Sequence, residues 1–199
     1  MKHWHVDGAP GNDVLDELAG ILNAGGVALL PTDTIYGLHA LAANQQAVDR
    51  IAAIKERPGD KAFVIIAASI EQLEAMKVTV PDALRTIWPA PLTAILPAGT
   101  STIAARVPDL DWLRSLLERT GPLVSTSANR SGEPPVTSPE MLERTMQYRL
   151  DALLNQGPCE GKPSTIVDFT ESIGSTPRLV REGDPGFTQF LRKSLWKDL

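Results

Sequence analysis

Between residues 12 and 30 the chain changes periodicity across a pair of glycines. Val14, Leu15, Leu18, Ile21 and Leu22 recur at helical spacing from about Asn12 to Ala24, with Asn12 or Asp13 placed to cap the segment. Gly25-Gly26 stops it, and Val27-Ala-Leu-Leu30 follows as an unbroken apolar run. A helix feeding directly into a buried strand is a unit of a layered α/β fold.

Further segments of both kinds follow. Gln45 to Glu56 sets Val48, Ile51 and Ala52 on one helical face, with Asn44 as the cap and Pro58-Gly59 as the breaker. Ala62 to Ala67 (AFVIIA) reads as a buried strand, and Ser69-Ile-Glu-Gln72 as a capping box. Strands are predicted at Leu92–Leu96, Ile103–Val107, Pro122–Thr126, Ser164–Phe169 and Arg178–Arg181. Helices are predicted at Leu110–Arg119, from Ser138-Pro139-Glu140, and in the amphipathic tail from Pro185. Helices and buried strands intermix, which indicates a mixed sheet, and it need not be purely parallel because several strands lack an obvious crossover helix between them. The 199 residues fit one domain, 1–199, of α/β (α+β) class.

Composition excludes several functions. Lys+Arg number 19 against 24 Asp+Glu, a formal charge of -5, which disfavours a surface built wholly to wrap nucleic acid but allows a local basic cleft. Cys159 is the sole cysteine, so an intramolecular disulfide and a multi-cysteine metal site are impossible, and a reducing, cytoplasmic compartment is expected. The opening MKHWHVDGAPGND lacks the apolar core of a signal peptide, and the longest apolar run, 62–68, is too short to span a bilayer. His3 and His5 alternate in a terminus expected to be loose and lack a third ligand, so no protein metal site is expected. The stretch from Gly157 to Ser164 is not a phosphate-binding P-loop: three residues separate its glycines, and Pro163 divides Lys162 from Ser164.

Four segments carry more polar chemistry than their surroundings require. Pro31-Thr-Asp-Thr-Ile-Tyr-Gly-Leu38 lies at the exit of a buried strand, where α/β proteins bind ligands, though a capped turn explains it equally well. Lys55-Glu-Arg57-Pro-Gly-Asp-Lys61 sets three cations at a helix end. That run suits either a solvated helix terminus or a clamp for phosphate oxygens. Ser125-Thr-Ser-Ala-Asn129-Arg-Ser-Gly132 crowds hydroxyls, an amide and a guanidinium at one strand exit, a donor set suited to phosphate or carboxylate. Pro163-Ser-Thr-Ile-Val-Asp168, with Arg181-Glu-Gly183, opens another strand with two hydroxyls.

These segments resemble the YrdC-like family of threonylcarbamoyl-AMP synthases. The family pattern appears as PTDTIYGL (31–38), KER (55–57), PLTAIL (91–96), ARVP (105–108), STSAN (125–129), PSTIVD (163–168) and LVREG (179–183), in the family's order and covering about residues 12–186. His39 stands where the family usually has glycine, Ala90 replaces the glycine of its WPGPLT segment, and 171–177 read as a small insertion. The chain is also too short for the extra C-terminal domain of the longer members.

The resemblance implies a twisted mixed sheet with a concave, positively lined cleft. It implies synthesis of threonylcarbamoyl-AMP from L-threonine, bicarbonate and ATP, with Mg2+ offsetting the triphosphate charge. The product would pass to the tRNA threonylcarbamoyltransferase machinery that modifies adenosine 37 of tRNA, and the resemblance also implies binding of tRNA or double-stranded RNA in the cleft. Carried over residue by residue, Lys55, Arg57, Ser127 and Asn129 form the catalytic set around ATP. Lys61, Thr102 and Arg181 add ATP contacts, while Thr34, Arg106, Ser125 and Ser164 bind threonine. Arg106 would grip the threonine carboxylate with both arms. Lys55 and Arg57 are expected to be exposed, so that their loss would spare the fold. Two other readings use the same residues: a YrdC-like RNA-binding module, and a carbamoyl-adenylate-forming paralogue with another substrate.

Overall fold

The computed structural model describes residues 1–56, 63–129, 133–137, 139–141, 149–171 and 176–196. Ten strands form one sheet: β1 Lys2–His5, β2 Ala28–Leu30, β3 Gly37–Leu41, β4 Val64–Ile66, β5 Leu92–Ala98, β6 Ser101–Arg106, β7 Leu123–Ser127, β8 Ala152–Asn155, β9 Thr165–Asp168 and β10 Arg178–Arg181. Their spatial order is β1-β8-β2-β3-β7-β4-β6-β5-β9-β10. Pairs β1/β8, β2/β8, β4/β6 and β5/β9 are parallel and the others antiparallel, so the sheet is mixed, as the sequence predicts.

Among the described residues, helices α1 Asn12–Asn23, α2 Gln45–Lys55, α3 Ile70–Ala75, α4 Asp82–Arg85, α5 Asp111–Thr120 and α6 Pro185–Leu195 flank the sheet. The predicted stops and caps largely hold. Gly25 takes φ +86° after α1, where its N–H and that of Gly26 close onto Leu22 and Ile21. Asn44 accepts from Ala47 N at the head of α2, Ser69 from Gln72 N at α3, and Asp184 from Phe187 N at α6. At α1 the N-cap is Gly11, without a side-chain bond, and Asn12 instead accepts from Arg119 of α5. The helix expected from Ser138 lies largely outside the described residues.

Alternating strand residues supply two faces. On one, Ala28, Leu30, Ile66, Leu123 and Ala152 pack against Leu15, Leu18 and Leu22 of α1 and Leu113, Leu116 and Leu117 of α5. On the other, Leu29, Leu38, Ala40, Val124 and Leu153 meet Ala47, Ile51 and Ile54 of α2. Farther along, Ala94, Leu96, Ala105 and Val167 meet Leu73, Leu84 and Leu191. Ala90 belongs to this last cluster, buried beside Val107, so its methyl group serves packing. The amino terminus is not loose: Lys2–His5 pairs in parallel with Ala152–Asn155, and Trp4 packs on the α1/α5 cluster. Among the described residues no helix is long and apolar enough to cross a membrane.

Candidate functional site

The face that carries α1 and α5 is covered only in part. Beyond α5 the ladder continues as one row across five strands, His39–Ser125–Val64–Ala104–Ile95, with Gly37 opposite Ser127 in a neighbouring row. Above these rows opens a cavity of about 530 Å3. Its polar wall includes Thr34, Arg106, Ser125, Ser127, Asn129, Ser164 and Arg181, residues drawn from both ends of the chain. The cavity lies in the size range of small-molecule sites.

One end is built by the turn between β2 and β3. Thr32 Oγ1 accepts from Thr34 N (3.1 Å) and Ile35 N (3.2 Å), which fixes the turn. Thr34 Oγ1 then accepts from Arg106 NH1 at 3.0 Å. Arg106, 6% exposed, also forms an ion pair with Asp33, whose second oxygen accepts from Asp109 N at 3.0 Å. The expectation of a free guanidinium fork is therefore corrected. The Thr-Asp-Thr turn delivers an acid onto one arm and a hydroxyl onto the other, and the buried Nε is left without a hydrogen-bond partner. Asp33 was not singled out in the sequence, because nothing local shows that Arg106, 73 positions on, would reach it.

At the other end, Lys55 is 3% exposed, so the expected exposed cation is also corrected. Its ammonium donates to Ser127 O (2.6 Å), Asn129 O (2.8 Å) and Asn129 Oδ1 (3.1 Å). Three donors meet three acceptors, and the charge is spent on holding the loop after β7. Asn129 Oδ1 also accepts from Ser127 Oγ (2.5 Å), while Nδ2 donates to Glu133 O (2.5 Å), which fixes the amide's orientation. Arg57 and Lys61 lie outside the described residues.

The third wall is β9 and β10. Ser164 Oγ shares a hydrogen with Thr93 Oγ1 at 2.8 Å, and Arg181 donates to Ser164 O from both Nε (3.2 Å) and NH2 (2.8 Å). Desolvation in the cleft, and then repulsion from Arg106, lowers the Arg181 pKa from its ordinary value. Arg106 is already paired with Asp33, so among the described lining residues Arg181 is the cation without an acid partner, and an anion in the cavity would relieve its charge. Thr102 is exposed, two positions along β6 from Ala104 and on the same strand face, but outside the cavity lining.

A loop straps this site from outside. Tyr36 Oη donates to Gly157 O (2.9 Å) and accepts from Gln156 N (3.0 Å), and Cys159 Sγ donates to Thr34 O (3.3 Å). Gly161 passes so close that a Cβ there would lie 1.7 Å from Thr34 O, so only glycine fits. Cys159 is thus a strap residue, tied to the backbone of the β2–β3 turn.

His39 lies beneath the floor. It is fully buried, its Nε2 sits 3.1 Å from Ser125 Oγ, and its ring fills the space that a Cβ on Gly37 would need. Burial lowers its pKa to about 4, with Arg106 adding to the effect and the Gly37 carbonyl opposing it. The unfolded chain therefore gains this proton near pH 6.5 while the folded chain refuses it until about pH 4. Stability from this group is complete above pH 6.5 and is lost as pH falls to 4, by up to roughly 3 kcal/mol. Denaturant midpoints between pH 7.5 and 4.5 should show this acid slope in the wild type and a shallower one in His39→Gln.

A mixed sheet that brings hydroxyls, an amide and two guanidiniums to one cleft defines a binding domain for small anionic ligands. The chain belongs to the Sua5/YciO/YrdC family, whose model, described as "Telomere recombination", matches residues 20–183. It is 34% identical to the threonylcarbamoyl-AMP synthase of Bacillus subtilis, over 92% of this chain and 58% of that protein. It is 37% identical to the threonylcarbamoyl-AMP synthase of Marinobacter nauticus, over 73% of this chain and 86% of that one. Its structure superposes on that of P. abyssi Sua5 complexed with L-threonine with a TM-score of 0.85 and 29% identity, covering 98% of this chain and 62% of that one. The chain thus spans less than two thirds of the length of the Bacillus and Pyrococcus proteins.

Proposed function

We propose that the chain is an L-threonylcarbamoyladenylate synthase. The observation that carries this reading is the pairing of Arg106 and Arg181 in one cavity with the hydroxyls of Thr34, Ser125, Ser127 and Ser164. That set suits two anions held side by side, an amino-acid carboxylate and a nucleotide triphosphate. The names of the relatives and the threonine bound in the Pyrococcus neighbour support the same choice.

The chemistry asks for position and charge more than for a nucleophile on the protein. The neutral amine of threonine adds to carbon dioxide and releases one proton to solvent, or adds to bicarbonate and releases water, in either case giving a carbamate. A carbamate oxygen attacks the α-phosphorus of ATP. The bond to the β-phosphate oxygen breaks, and pyrophosphate leaves with the electron pair. Thr34, Arg106, Ser125 and Ser164 hold the amino acid, while Ser127, Asn129 and Arg181 face the nucleotide and offset charge as it develops. Lys55 acts by holding the Ser127–Asn129 loop in place. Arg57 and Lys61 are proposed to add nucleotide contacts, as is Thr102 from beyond the cavity lining.

Among the described residues no group of three or more His, Cys, Asp or Glu side chains could hold a metal ion. Mg2+ would offset the triphosphate charge through phosphate oxygens and water, as the family resemblance implies. We assign the reaction to the cytoplasm, where the adenylate would be handed to the enzyme that modifies tRNA.

The test is pyrophosphate release from ATP with threonine and bicarbonate omitted in turn, together with mass detection of the adenylate. Release that needs both substrates is the expected result. Salt-steep RNA binding without any release would replace this reading with that of a binding module.

A further inference from the structure

We propose that His39 is a positioning residue that turns the Ser125 hydroxyl into a fixed hydrogen-bond donor aimed into the cavity, toward an oxygen of the carboxylate class. The inference rests on the function proposed above for the identity of the ligand, and on geometry for the rest.

Ser125 stands in the middle of β7, with His39 opposite on β3 and Val64 opposite on β4. Val64 offers only methyl groups. Among the described residues the Ser125 side chain has His39 Nε2 as its one hydrogen-bond partner, at 3.1 Å, and its remaining open side is the cavity that it lines. The hydroxyl can therefore do one of two things. It accepts from His39 and donates into the cavity, or it donates to His39 and offers the cavity only lone pairs.

The ring decides between them. His39 is fully buried, and Nδ1 has no hydrogen-bond partner. A neutral imidazole carries one N–H. With that hydrogen on Nδ1, a donor would be buried with nothing to receive it, which native proteins rarely tolerate; a bare nitrogen lone pair is the lesser penalty. The hydrogen thus sits on Nε2, which faces both Ser125 Oγ at 3.1 Å and the Gly37 carbonyl, so the ring has no bare nitrogen there to accept the Ser125 hydrogen. Burial keeps the second nitrogen from taking up a proton at neutral pH, so the arrangement does not alternate. Ser125 is left with its own hydrogen facing the ligand, and the site favours a ligand oxygen that carries no hydrogen of its own. The ring also fills the space against Gly37, so it cannot swing away from Ser125 without moving β3.

Imidazole 15N shifts provide the direct test. The expected result is a single neutral species protonated at Nε2 from pH 8 to pH 6, whose Nε2 resonance moves in Ser125→Ala. A hydrogen on Nδ1, or no response to Ser125→Ala, overturns the proposal. Kinetics supply the second arm. A glutamine side chain places its amide N–H near the position of Nε2, whereas phenylalanine keeps the ring volume without a donor. His39→Phe should raise the threonine KM about tenfold, the worth of one oriented hydrogen bond, with the KM for ATP unchanged. His39→Gln should stay within about threefold of wild type, and Ser125→Ala should add almost nothing to His39→Phe, as residues acting through one bond do. Equal effects of Phe and Gln, or additive losses, overturn the proposal. If the wild type shows no dependence on threonine, the function proposed above fails, while the 15N experiment still decides the role of His39. If the phenylalanine variant does not fold, glutamine and the 15N spectra decide it.

Discussion

Replacing Arg106 by alanine is expected to abolish threonine-dependent pyrophosphate release and to weaken threonine more than ATP. It is also expected to destabilise the protein. The guanidinium is 6% exposed and faces Asp33, whose side chain is 9% exposed. Truncating one partner of a buried ion pair leaves the other charge uncompensated and costs about 3–5 kcal/mol. At roughly 2–4 °C per kcal/mol for a chain of this size, melting should fall by about 10 °C or more. A second variant separates the two roles. Asp33→Asn combined with Arg106→Ala removes both charges, and should recover much of the melting temperature while turnover stays lost. Unchanged melting in the single variant would show that the pair is not buried in solution. Restored turnover in the double variant would show that Arg106 serves Asp33 and not the substrate.

Lys55→Met is expected to be nearly as severe, for a different reason. Methionine matches the stem of lysine but donates nothing, so the carbonyls of Ser127 and Asn129 and the Asn129 amide oxygen all lose a charged donor at once. Hydrogen bonds to charged groups contribute about 1.5–3 kcal/mol each. A loss of about 3 kcal/mol or more should appear in denaturant unfolding. Turnover should disappear with it, because Ser127 and Asn129 are no longer held at the cavity. Wild-type unfolding in this variant would return Lys55 to the exposed helix end expected from its charge.

Lys55 marks the boundary of what the sequence makes legible. Ala47, Ile51 and Lys55 are spaced four apart and share the buried face of α2 with Ile54. The period therefore placed Lys55 inside, but a lysine beside Arg57 and Lys61 reads as a solvated run, and charge outweighed position. The helix stops and strands β2, β4 to β7, β9 and β10 were legible, because most of them follow from a local apolar run or a breaker. Strands β1, β3 and β8 were not. Lys2–His5 has one apolar side chain, Ala152–Asn155 is four residues in a polar stretch, and Gly37–Leu41 was read as the tail of a polar motif. Each is held by its neighbours in the sheet more than by its own composition. Thr34, Ser127, Asn129, Ser164 and Arg181, which all line the cavity, were legible as candidates because polar groups at strand exits are conspicuous. Asp33 and the link from His39 to Ser125 were not, since both depend on partners more than seventy positions away.

Those distances along the chain also govern when the cleft can exist. Arg106 reaches Thr34 across 72 residues, Thr93 reaches Ser164 across 71, and Tyr36 reaches Gly157 across 121. Each of these closures costs chain entropy before it gains a hydrogen bond. The helix and strand units can form early from nearby contacts, whereas the cleft is complete only when β9 and β10 dock on the far side of β5. During synthesis, a ribosome that has released the first 160 residues has released every apolar cluster on the α1 and α2 sides, yet Ser164 and Arg181 are still to come. The binding site is thus a late product of folding, and a chain interrupted before its last strands would be largely structured and unable to hold its ligands.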